Sequence, residues 1–217
     1  MMQKFQLKQN SYGGKIIVFE GIDGSGKTTL INFLKEYLTN KGFDVVYLKM
    51  PSDRMRNLKI FDDYDNSKDD TVRKTIDLTN LTIMVSGDRL LQQDEIIIPA
   101  LKQNKVVICD RYCYTGYVRC AEPIIQQLSQ RFLQPDLCFL CDCEVETAKK
   151  RIDFRKAEAN NYYDKNEVNS QRERFLELAE KNDFEIINTD FDIEVCKQKI
   201  ANCVDKKLTK QSNGDKI

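Results

Sequence analysis

Eight residues near the amino terminus, GIDGSGKT (Gly21 to Thr28), leave this chain few choices of architecture. The run before them, KIIVFE, is apolar and rich in β-branched residues, as in a strand covered on both faces. The run after them, KTTLINFLKEYLTNKG, spaces its apolar residues as a helix does and ends at Gly42. The eight residues match Gly-x-x-x-x-Gly-Lys-[Ser/Thr], and a chance match in such a chain is roughly a 1% event given the frequency of Gly. A strand, a phosphate-binding loop and a helix are therefore predicted in that order.

Each position of this loop has an expected part in holding a nucleotide. The glycines free the backbone to turn its N–H groups toward phosphate oxygens, and the N-terminus of the following helix adds partial positive charge. Lys27 is expected to bridge the β- and γ-phosphates, and the hydroxyl of Thr28 is expected to bind Mg²⁺. The residues predicted to bind ATP are Gly21, Ile22, Asp23, Gly24, Ser25, Gly26, Lys27, Thr28 and Thr29.

The rest of the chain alternates the hydrophobic periods of strands and helices. Further strands are predicted at 44–50, 106–110, 136–142 and 184–190, and further helices at about 71–104, 121–133, from 145, 170–182 and 193–208. Ser170 and Glu173 have capping-box spacing and predict the start of the fourth of these helices. Residues 155–169 break every period and predict a mobile loop. This alternation predicts one α/β domain with a parallel sheet.

Composition narrows the class of protein and its location. Lys and Arg number 34, as do Asp and Glu, so a general nucleic-acid surface is not favoured. No apolar run approaches the roughly 18 residues of a membrane-spanning helix, and the start lacks the apolar centre of a signal peptide. Eight cysteines without any histidine give no zinc pattern and predict reduced, mostly buried thiols. The cytoplasm is the predicted location.

The stretch VVICDRYCYTGY, from Val106, starts as a buried strand and ends in an acid and a base. Charged groups are costly to desolvate without a partner, so this strand tip is expected to face a ligand. Asp110 is predicted to hold Mg²⁺ through water, and Arg111 to turn toward an acceptor phosphate. No Asn-Lys-x-Asp element of a switch and no Asp-Glu strand end of a motor is found. The pairing suits a kinase whose acceptor is itself a phosphate ester.

Three segments together resemble the thymidylate kinase family: FEGIDGSGKTT, DRY with the following YCYTGY, and PDLCFL. The resemblance spans about Lys15 to Leu208. It implies a P-loop kinase three-layer sandwich with a parallel central sheet, helices on both faces and a small lid. It also implies transfer of the ATP γ-phosphate to dTMP and a homodimer. The expected organisation is an N-terminal extension (1–14), the kinase domain (15–208, lid about 153–169) and a flexible tail (209–217).

The resemblance assigns roles to individual residues on the acceptor side. Asp23 would accept a hydrogen bond from the 3′-hydroxyl of the acceptor, and Arg111 would clamp its phosphate. Tyr112 would pack near the sugar, and Arg89 would lie close to the thymine base. Together with positions in the turn after the second strand, the predicted substrate-binding residues are Asp23, Lys49, Pro51, Arg54, Arg89, Arg111, Tyr112 and Gly116.

The resemblance also places the catalytic charge in the lid. Relatives with glycine at the position of Gly24 tend to carry a transition-state arginine there, so Arg155 is the first choice and Lys156 the reserve. Arg151, on the preceding helix, is as well explained as a solvated side chain. The predicted catalytic residues are Lys27, Asp110, Arg111 and Arg155, and the predicted metal-binding residues are Thr28 and Asp110.

Two departures from the family concern the acceptor. The segment KMPSDR keeps Pro51, but the usual phosphate-binding arginine becomes Lys49 or is displaced to Arg54. Val85 stands where the family stacks an aromatic ring on thymine, so looser base selection is expected. Two alternatives stay open: a related P-loop kinase for a deoxynucleoside or another small phosphate acceptor, and a non-catalytic nucleotide-binding regulator derived from the fold. In every case the expected partners are small-molecule nucleotides.

Overall fold

A computed structural model describes residues 4–65, 70–155 and 163–209. Within these ranges five strands form one sheet in the order β2-β3-β1-β4-β5, and every neighbouring pair is parallel. The strands are β1 (Lys15–Glu20), β2 (Val45–Lys49), β3 (Val106–Asp110), β4 (Leu137–Asp142) and β5 (Glu185–Asn188). The five predicted strands are thus confirmed, with their ends shifted by up to two residues.

Helices connect the strands and cover the sheet. They are α1 (Lys27–Asn40), α2 (Asp53–Arg56), α3 (Lys59–Asp65), α4 (Asp70–Lys74), α5 (Leu78–Gln92), α6 (Ile98–Lys102), α7 (Cys113–Arg119), α8 (Pro123–Ser129), α9 (Val145–Phe154), α10 (Lys165–Lys181) and α11 (Ile193–Thr209). A π-helical segment, Gln93–Ile97, joins α5 to α6. The predicted helix over 71–104 is therefore interrupted once, before the N-cap of α5, where the side chain of Asp77 accepts a hydrogen bond from the Asn80 N–H.

The central strand shows why the sheet has two helical layers. Ile16 and Val18 of β1 belong to one buried apolar cluster, and Ile17 and Phe19 belong to the other, because successive side chains of a strand point to opposite faces. The second cluster also contains residues of α1 and α11, and the first contains residues of α6, α7, α9 and α10. The predicted α/β sandwich is confirmed.

Residues before β1 belong to this packing as well. Phe5 is 5% exposed and its ring centroid lies 5.1 Å from that of Tyr114. The backbone of Lys8 exchanges hydrogen bonds with residues of the α8–β4 connection. The described part of the predicted N-terminal extension is therefore anchored on the domain.

The prediction that a helix begins at Ser170 was wrong. Helix α10 begins five residues earlier, because the side chain of Asp164 accepts hydrogen bonds from the N–H groups of Asn166 and Glu167 and caps the first turn. Helix α7, directly after the DRY segment, was not predicted. Residues 156–162 of the predicted lid and residues 210–217 of the predicted tail lie outside the described residues.

The cysteines behave as the composition predicts. All eight are free and seven are buried. Among the residues that the structure describes, no helix combines the length and the apolar character needed to cross a membrane.

Candidate active site

A cavity of about 360 Å³ opens beyond the carboxyl ends of β1 and β3. Parallel α/β sheets bind their ligands at this end of the strands. The cavity runs from the phosphate-binding loop, past the tip of β3, to α3 and α5, and the first turns of α10 close its lid side. One continuous space therefore connects the predicted donor and acceptor sites.

The glycines of the loop are required by its geometry. Gly21, Gly24 and Gly26 have φ values of 139°, 82° and 84°, which side-chain-bearing residues rarely adopt. A Cβ on Gly21 would lie 2.3 Å from the carbonyl oxygen of Cys141, and one on Gly24 would lie 2.4 Å from that of Ala148. The loop therefore passes between β4 and α9 with no room for a side chain at Gly21 or Gly24.

The ammonium group of Lys27 and the hydroxyl group of Ser25 are polar groups of this loop that could bind phosphate. The Lys27 Nζ donates to the carbonyl oxygens of Gly21 and Ile22 at 3.0 and 2.8 Å, and the residue is 7% exposed. Burial, together with the positive charge of Arg111, lowers the pKa of Lys27. The Ser25 hydroxyl oxygen is buried and has no hydrogen-bond partner within the described part of the chain. A buried ammonium and an orphaned hydroxyl fit an anionic group in the loop.

Not every residue of the loop reaches the cavity. Asp23, Gly24, Ser25, Gly26, Lys27 and Thr28 line it. The lining does not include Gly21 or Ile22, which act through the carbonyl oxygens that hold Lys27, or Thr29, which is exposed on α1.

Arg111 stands at the tip of β3 in a strained conformation. Its φ is 71°, in the left-handed region that non-glycine residues seldom occupy, and such strain is common at functional sites. Its Nη1 donates to the Gly21 carbonyl oxygen at 3.1 Å, and its Nη2 donates to Oδ1 of Asp23. Burial alone would lower the pKa of Arg111, but the carboxylates of Asp23, Asp110 and Glu20 together outweigh it and raise the pKa. The structure thus brings Arg111 directly against the phosphate-binding loop.

Asp23 is correspondingly held as a carboxylate. Partial desolvation inside the cavity favours the protonated form, but the positive charges of Arg111, Lys27 and Arg119 outweigh it, and the pKa of Asp23 falls well below its ordinary value. Its side chain remains 64% exposed toward the cavity. Asp23 therefore has acceptor capacity available for a ligand hydroxyl.

Sequence analysis missed Glu20, the residue that organises the turn after β3. Glu20 is fully buried at the end of β1, and its Oε1 accepts hydrogen bonds from the N–H groups of Tyr112 and Thr115 at 2.8 and 3.2 Å. Burial raises the pKa of Glu20, and the charges of Arg111 and Arg89 partly oppose the rise. Its only sequence signal was a charged residue at the end of an apolar strand.

Tyr112 does not lie where the resemblance put it. The residue is 0% exposed, its hydroxyl donates to the Leu133 carbonyl oxygen at 3.0 Å, and its ring packs edge-on against Phe132. It is not among the residues that line the cavity. The backbone at Tyr112 points the side chain into the core behind β3, so a contact with the acceptor's sugar is not what the structure shows.

Arg89 is buried at the far end of the cavity. It is 2% exposed, and its Nε and Nη1 have no hydrogen-bond partner among the residues that the structure describes. Burial lowers the pKa of Arg89 to about 10, while the carboxylate of Glu20 opposes the effect. A Cβ on Gly116 would lie 3.4 Å from Nη1, so glycine leaves room for this guanidinium. Arg89 lines the cavity, and unused donors beside a cavity suit ligand carbonyl oxygens.

Aromatic side chains line the acceptor side of the cavity, although none is present on α5. Val85 lines the cavity as predicted, and the rings of Phe61 and Tyr64 on α3 line it too. These three residues share a small apolar cluster with Met55 and Leu81. The aromatic surface absent from α5 is therefore provided by a different helix, which the sequence pattern did not indicate.

In the turn after β2, the arginine that lines the cavity is Arg56 and not the predicted Arg54. Lys49 and Pro51 line the cavity, but Arg54 pairs with Glu95 at 2.9 Å on the outer surface. Arg56 lines the cavity instead, with its Nε donating to the Pro51 carbonyl oxygen at 2.8 Å. Side chains two residues apart on a helix point to different sides, so Arg56 faces the cavity in this structure and the predicted Arg54 does not.

Asp110, the last residue of β3, and Thr28, in the first turn of α1, belong to the same cavity. Both line it, and Asp110 is 5% exposed. Burial and the neighbouring Asp110 carboxylate raise the pKa of Tyr47 to about 12. A carboxylate and a hydroxyl beside a phosphate-binding loop are the oxygen ligands that Mg²⁺ prefers. These two residues fit the predicted metal.

The described part of the predicted lid brings Arg155 to the cavity edge. Arg155 follows α9 and lines the cavity, whereas Lys156 lies outside the described residues. Arg151 is not a solvated side chain: its Nη2 donates to the Thr189 carbonyl oxygen at 2.7 Å and its Nη1 to the Thr189 hydroxyl at 3.1 Å. Arg151 therefore joins α9 to the segment after β5 beside the phosphate-binding loop.

Comparison with known sequences agrees with this geometry. A sequence profile of the family described as thymidylate kinase matches residues 19–200. The chain belongs to the thymidylate kinase family. A thymidylate kinase of Pelobacter propionicus is 34% identical over 187 residues, which cover 76% of this chain and 81% of the relative. A thymidylate kinase of Bartonella quintana is 30% identical over 205 residues, which cover 87% and 94%.

Membership of the thymidylate kinase family settles the class of activity. The resemblance carried by the three motifs is confirmed, and the chain is a phosphotransferase that acts on nucleotides. The matched range contains the phosphate-binding loop, the turn after β3 and α5. The alternative of a non-catalytic nucleotide-binding regulator derived from the fold is not supported.

Proposed function

We propose that this chain transfers the γ-phosphoryl group of MgATP to dTMP, giving dTDP and ADP. The observation that carries the proposal is the contact of Arg111 with Asp23 and the Gly21 carbonyl oxygen. It puts a guanidinium where the phosphate-binding loop meets the rest of the cavity. A donor γ-phosphate in the loop and an acceptor phosphate on Arg111 would face each other across a short gap.

The acceptor needs no general base for this transfer. A phosphate monoester is largely a dianion near neutral pH, because its second pKa is about 6. One of its oxygens attacks the γ-phosphorus, and the bond from that phosphorus to the β–γ bridging oxygen breaks, with its electrons leaving on ADP. Lys27 exchanges its loop carbonyl partners for phosphate oxygens. Arg111 holds the attacking phosphate in line, and positioning of this kind is the main contribution in phosphoryl transfer.

Asp110 and Thr28 would hold Mg²⁺, and Arg155 would approach from the lid side. Bound Mg²⁺ neutralises charge on the β- and γ-phosphates. Arg155 lies at the cavity edge, on the segment that leads into the predicted lid. When the site closes, its guanidinium would stabilise the negative charge on the transferred phosphoryl group. Gly24 has no side chain to supply that charge.

The base would lie between Arg89 and the rings of α3. The unpartnered Arg89 Nε and Nη1 suit a pyrimidine carbonyl oxygen, and Phe61 and Tyr64 offer flat apolar contact. Asp23 suits the 3′-hydroxyl. This arrangement favours dTMP over purine nucleotides because the cavity is small and its end is occupied by a fixed guanidinium.

An acceptor panel tests the proposal. We expect ADP release with dTMP to exceed that with dCMP, dGMP and AMP, and dUMP to be accepted measurably, since Val85 adds no ring to the base contact. Arg89→Met is expected to lower the ratio of kcat/KM for dTMP to kcat/KM for the other monophosphates by roughly tenfold. The reason is that a hydrogen bond from a charged group contributes about 1.5–3 kcal/mol. If dTMP is inert while another acceptor turns over rapidly, the thymidylate assignment fails and the kinase class remains.

We also propose that two copies pair through the outer face of α5. Ile83, Met84 and Leu91 are 36%, 43% and 52% exposed, and a Cβ on Gly87 would meet nothing within 4 Å. Their spacing puts them on one side of the helix, a stripe that a second α5 related by a two-fold axis could cover. Leu91→Glu is expected to convert the dimer to a monomer in sedimentation, whereas the exposed Val195→Glu should not. A wild-type monomer at micromolar concentration would contradict this pairing.

We infer a cytoplasmic location from the thiols. Seven of eight cysteines are buried and all are free, as is usual in a reducing compartment. Cell fractionation tests this directly, and recovery with secreted proteins would rule it out.

A further inference from the structure

Arg119, the last residue of α7, links the phosphate-binding loop to helix α3. Its Nη1 donates to Oδ1 of Asp65 at 2.7 Å, and its Nη2 lies 3.7 Å from Oδ2 of Asp23. The side chains of Arg119 and Asp65 are only 22% and 27% exposed. A planar guanidinium that faces two carboxylates through different nitrogens fixes their orientation as well as their distance.

The two oxygens of Asp23 are thereby divided between two arginines. Oδ1 accepts from Arg111, and Oδ2 faces Arg119. Thr115 and Arg119 are four residues apart on α7, so they lie on one side of the helix, and both line the cavity together with Arg111, which precedes the helix. The charges of Asp65 and Asp23 raise the pKa of Arg119, which is therefore always a cation.

Helix α3 needs such an anchor. It has seven residues, and its side chains Phe61 and Tyr64 belong to the small apolar cluster with α2 and α5, apart from the two large clusters on the sheet. The guanidinium groups of Arg56 and Arg73 also lie over these two rings. The bond from Arg119 to Asp65 attaches α3 to α7 as well, and α7 belongs to the large cluster on the sheet. Removing this bond would take away the described side-chain hydrogen bond between α3 and α7.

We propose that Arg119 is a positioning residue for the acceptor nucleotide, which fixes the Asp23 carboxylate and holds α3 with its two rings against the cavity. The inference rests on the proposed function, because it assigns Asp23 and α3 to the acceptor side. Arg119 acts through Asp23 and Asp65 and takes no part in the transfer of the phosphoryl group. The donor site, with Lys27 and the loop glycines, does not depend on it.

Steady-state kinetics of the full chain separate positioning from a general structural role. Arg119→Met is expected to raise the KM for dTMP by roughly tenfold, to change kcat by less than about threefold and to leave the KM for ATP within about twofold. Arg119→Lys should recover only part of the loss, because one ammonium cannot serve two carboxylates in fork geometry. Arg174→Met is the matched control: it removes a guanidinium that donates to the Val118 carbonyl oxygen of α7 but does not line the cavity.

The double variant tests whether Arg119 and Asp65 act together. Asp65→Asn alone should raise the KM for dTMP by about threefold, and adding it to Arg119→Met should cost little more, since the two residues share one interaction. Hydrogen exchange provides a readout without turnover: amides of residues 59–65 should exchange faster in both variants and not in Arg174→Met.

The outcomes distinguish the inference from the function on which it rests. If the wild-type chain uses no nucleoside monophosphate, the proposed function fails, and the exchange of α3 amides still decides whether Arg119 holds that helix. If dTMP is used but Arg119→Met leaves its KM unchanged, or raises the KM values of dTMP and ATP equally, the positioning role is refuted. Unchanged exchange in α3 refutes the link to Asp65.

Discussion

Replacing Lys27 with methionine is expected to lower kcat by roughly 10²–10³-fold, the loss typical of removing one preorganised charge donor from a transition state. The Nζ of Lys27 is buried among the loop carbonyl oxygens. Among the described loop residues that line the cavity, Lys27 alone has a positively charged side chain, so no neighbour in the loop can replace it. Methionine keeps the length and apolar stem of lysine, and the fold should persist. Coupled ADP release at saturating ATP and dTMP measures the effect.

A second lysine on the same helix controls for loss of charge. Lys35 lies eight residues further along α1, with its Nζ 4.9 Å from the ring centroid of Tyr47 and outside the cavity lining. Lys35→Met should therefore leave kcat within about twofold, as is usual for surface substitutions. Equal kcat values for Lys27→Met and the wild type would refute the assignment of the loop to ATP phosphate.

The sheet and the loop could be predicted because local patterns determine them. The run KIIVFE, a glycine-rich turn and a helical period stand next to one another in sequence, and each agrees with its neighbours. The α/β sandwich, the five strands and the family follow from such local agreement. Helix α7 escaped prediction because Tyr112, Tyr114 and Tyr117 alternate with small residues and give no clear helical stripe.

The residues that line the acceptor side of the cavity were harder to predict, because packing between segments distant in sequence determines which side chains face it. Whether Arg54 or Arg56 enters the cavity depends on how α2 sits, and α2 is fixed by the Asp88 carboxylate, which accepts from the Ser52 N–H at 2.7 Å. Nothing within the short segment KMPSDRMR reveals that contact. The rings of α3 beside Val85 have the same origin, since they reach the cavity only after α3 packs on α5.

Replacing Arg111 with methionine is expected to lower kcat/KM for dTMP by roughly 10²–10³-fold, because a buried guanidinium that holds a charged group contributes about 1.5–3 kcal/mol and also aligns the attack. Both constants should worsen, since Arg111 would bind the acceptor phosphate in the ground state and orient it in the transition state. The loss should be similar for dTMP and dUMP, because phosphate is common to both. Initial rates over a range of each nucleotide measure it.

Arg155→Met is the comparison that gives the Arg111 result its meaning. Arg155 lies at the cavity edge and would meet the migrating phosphoryl group only on closure, so its loss should lower kcat while the KM for dTMP stays within about twofold. Arg111, which already contacts Asp23 and the Gly21 carbonyl oxygen in the described structure, should instead affect both constants. If Arg111→Met lowers kcat alone and Arg155→Met weakens acceptor binding, the two arginines have exchanged roles, and the acceptor phosphate must lie nearer the lid than the turn after β3.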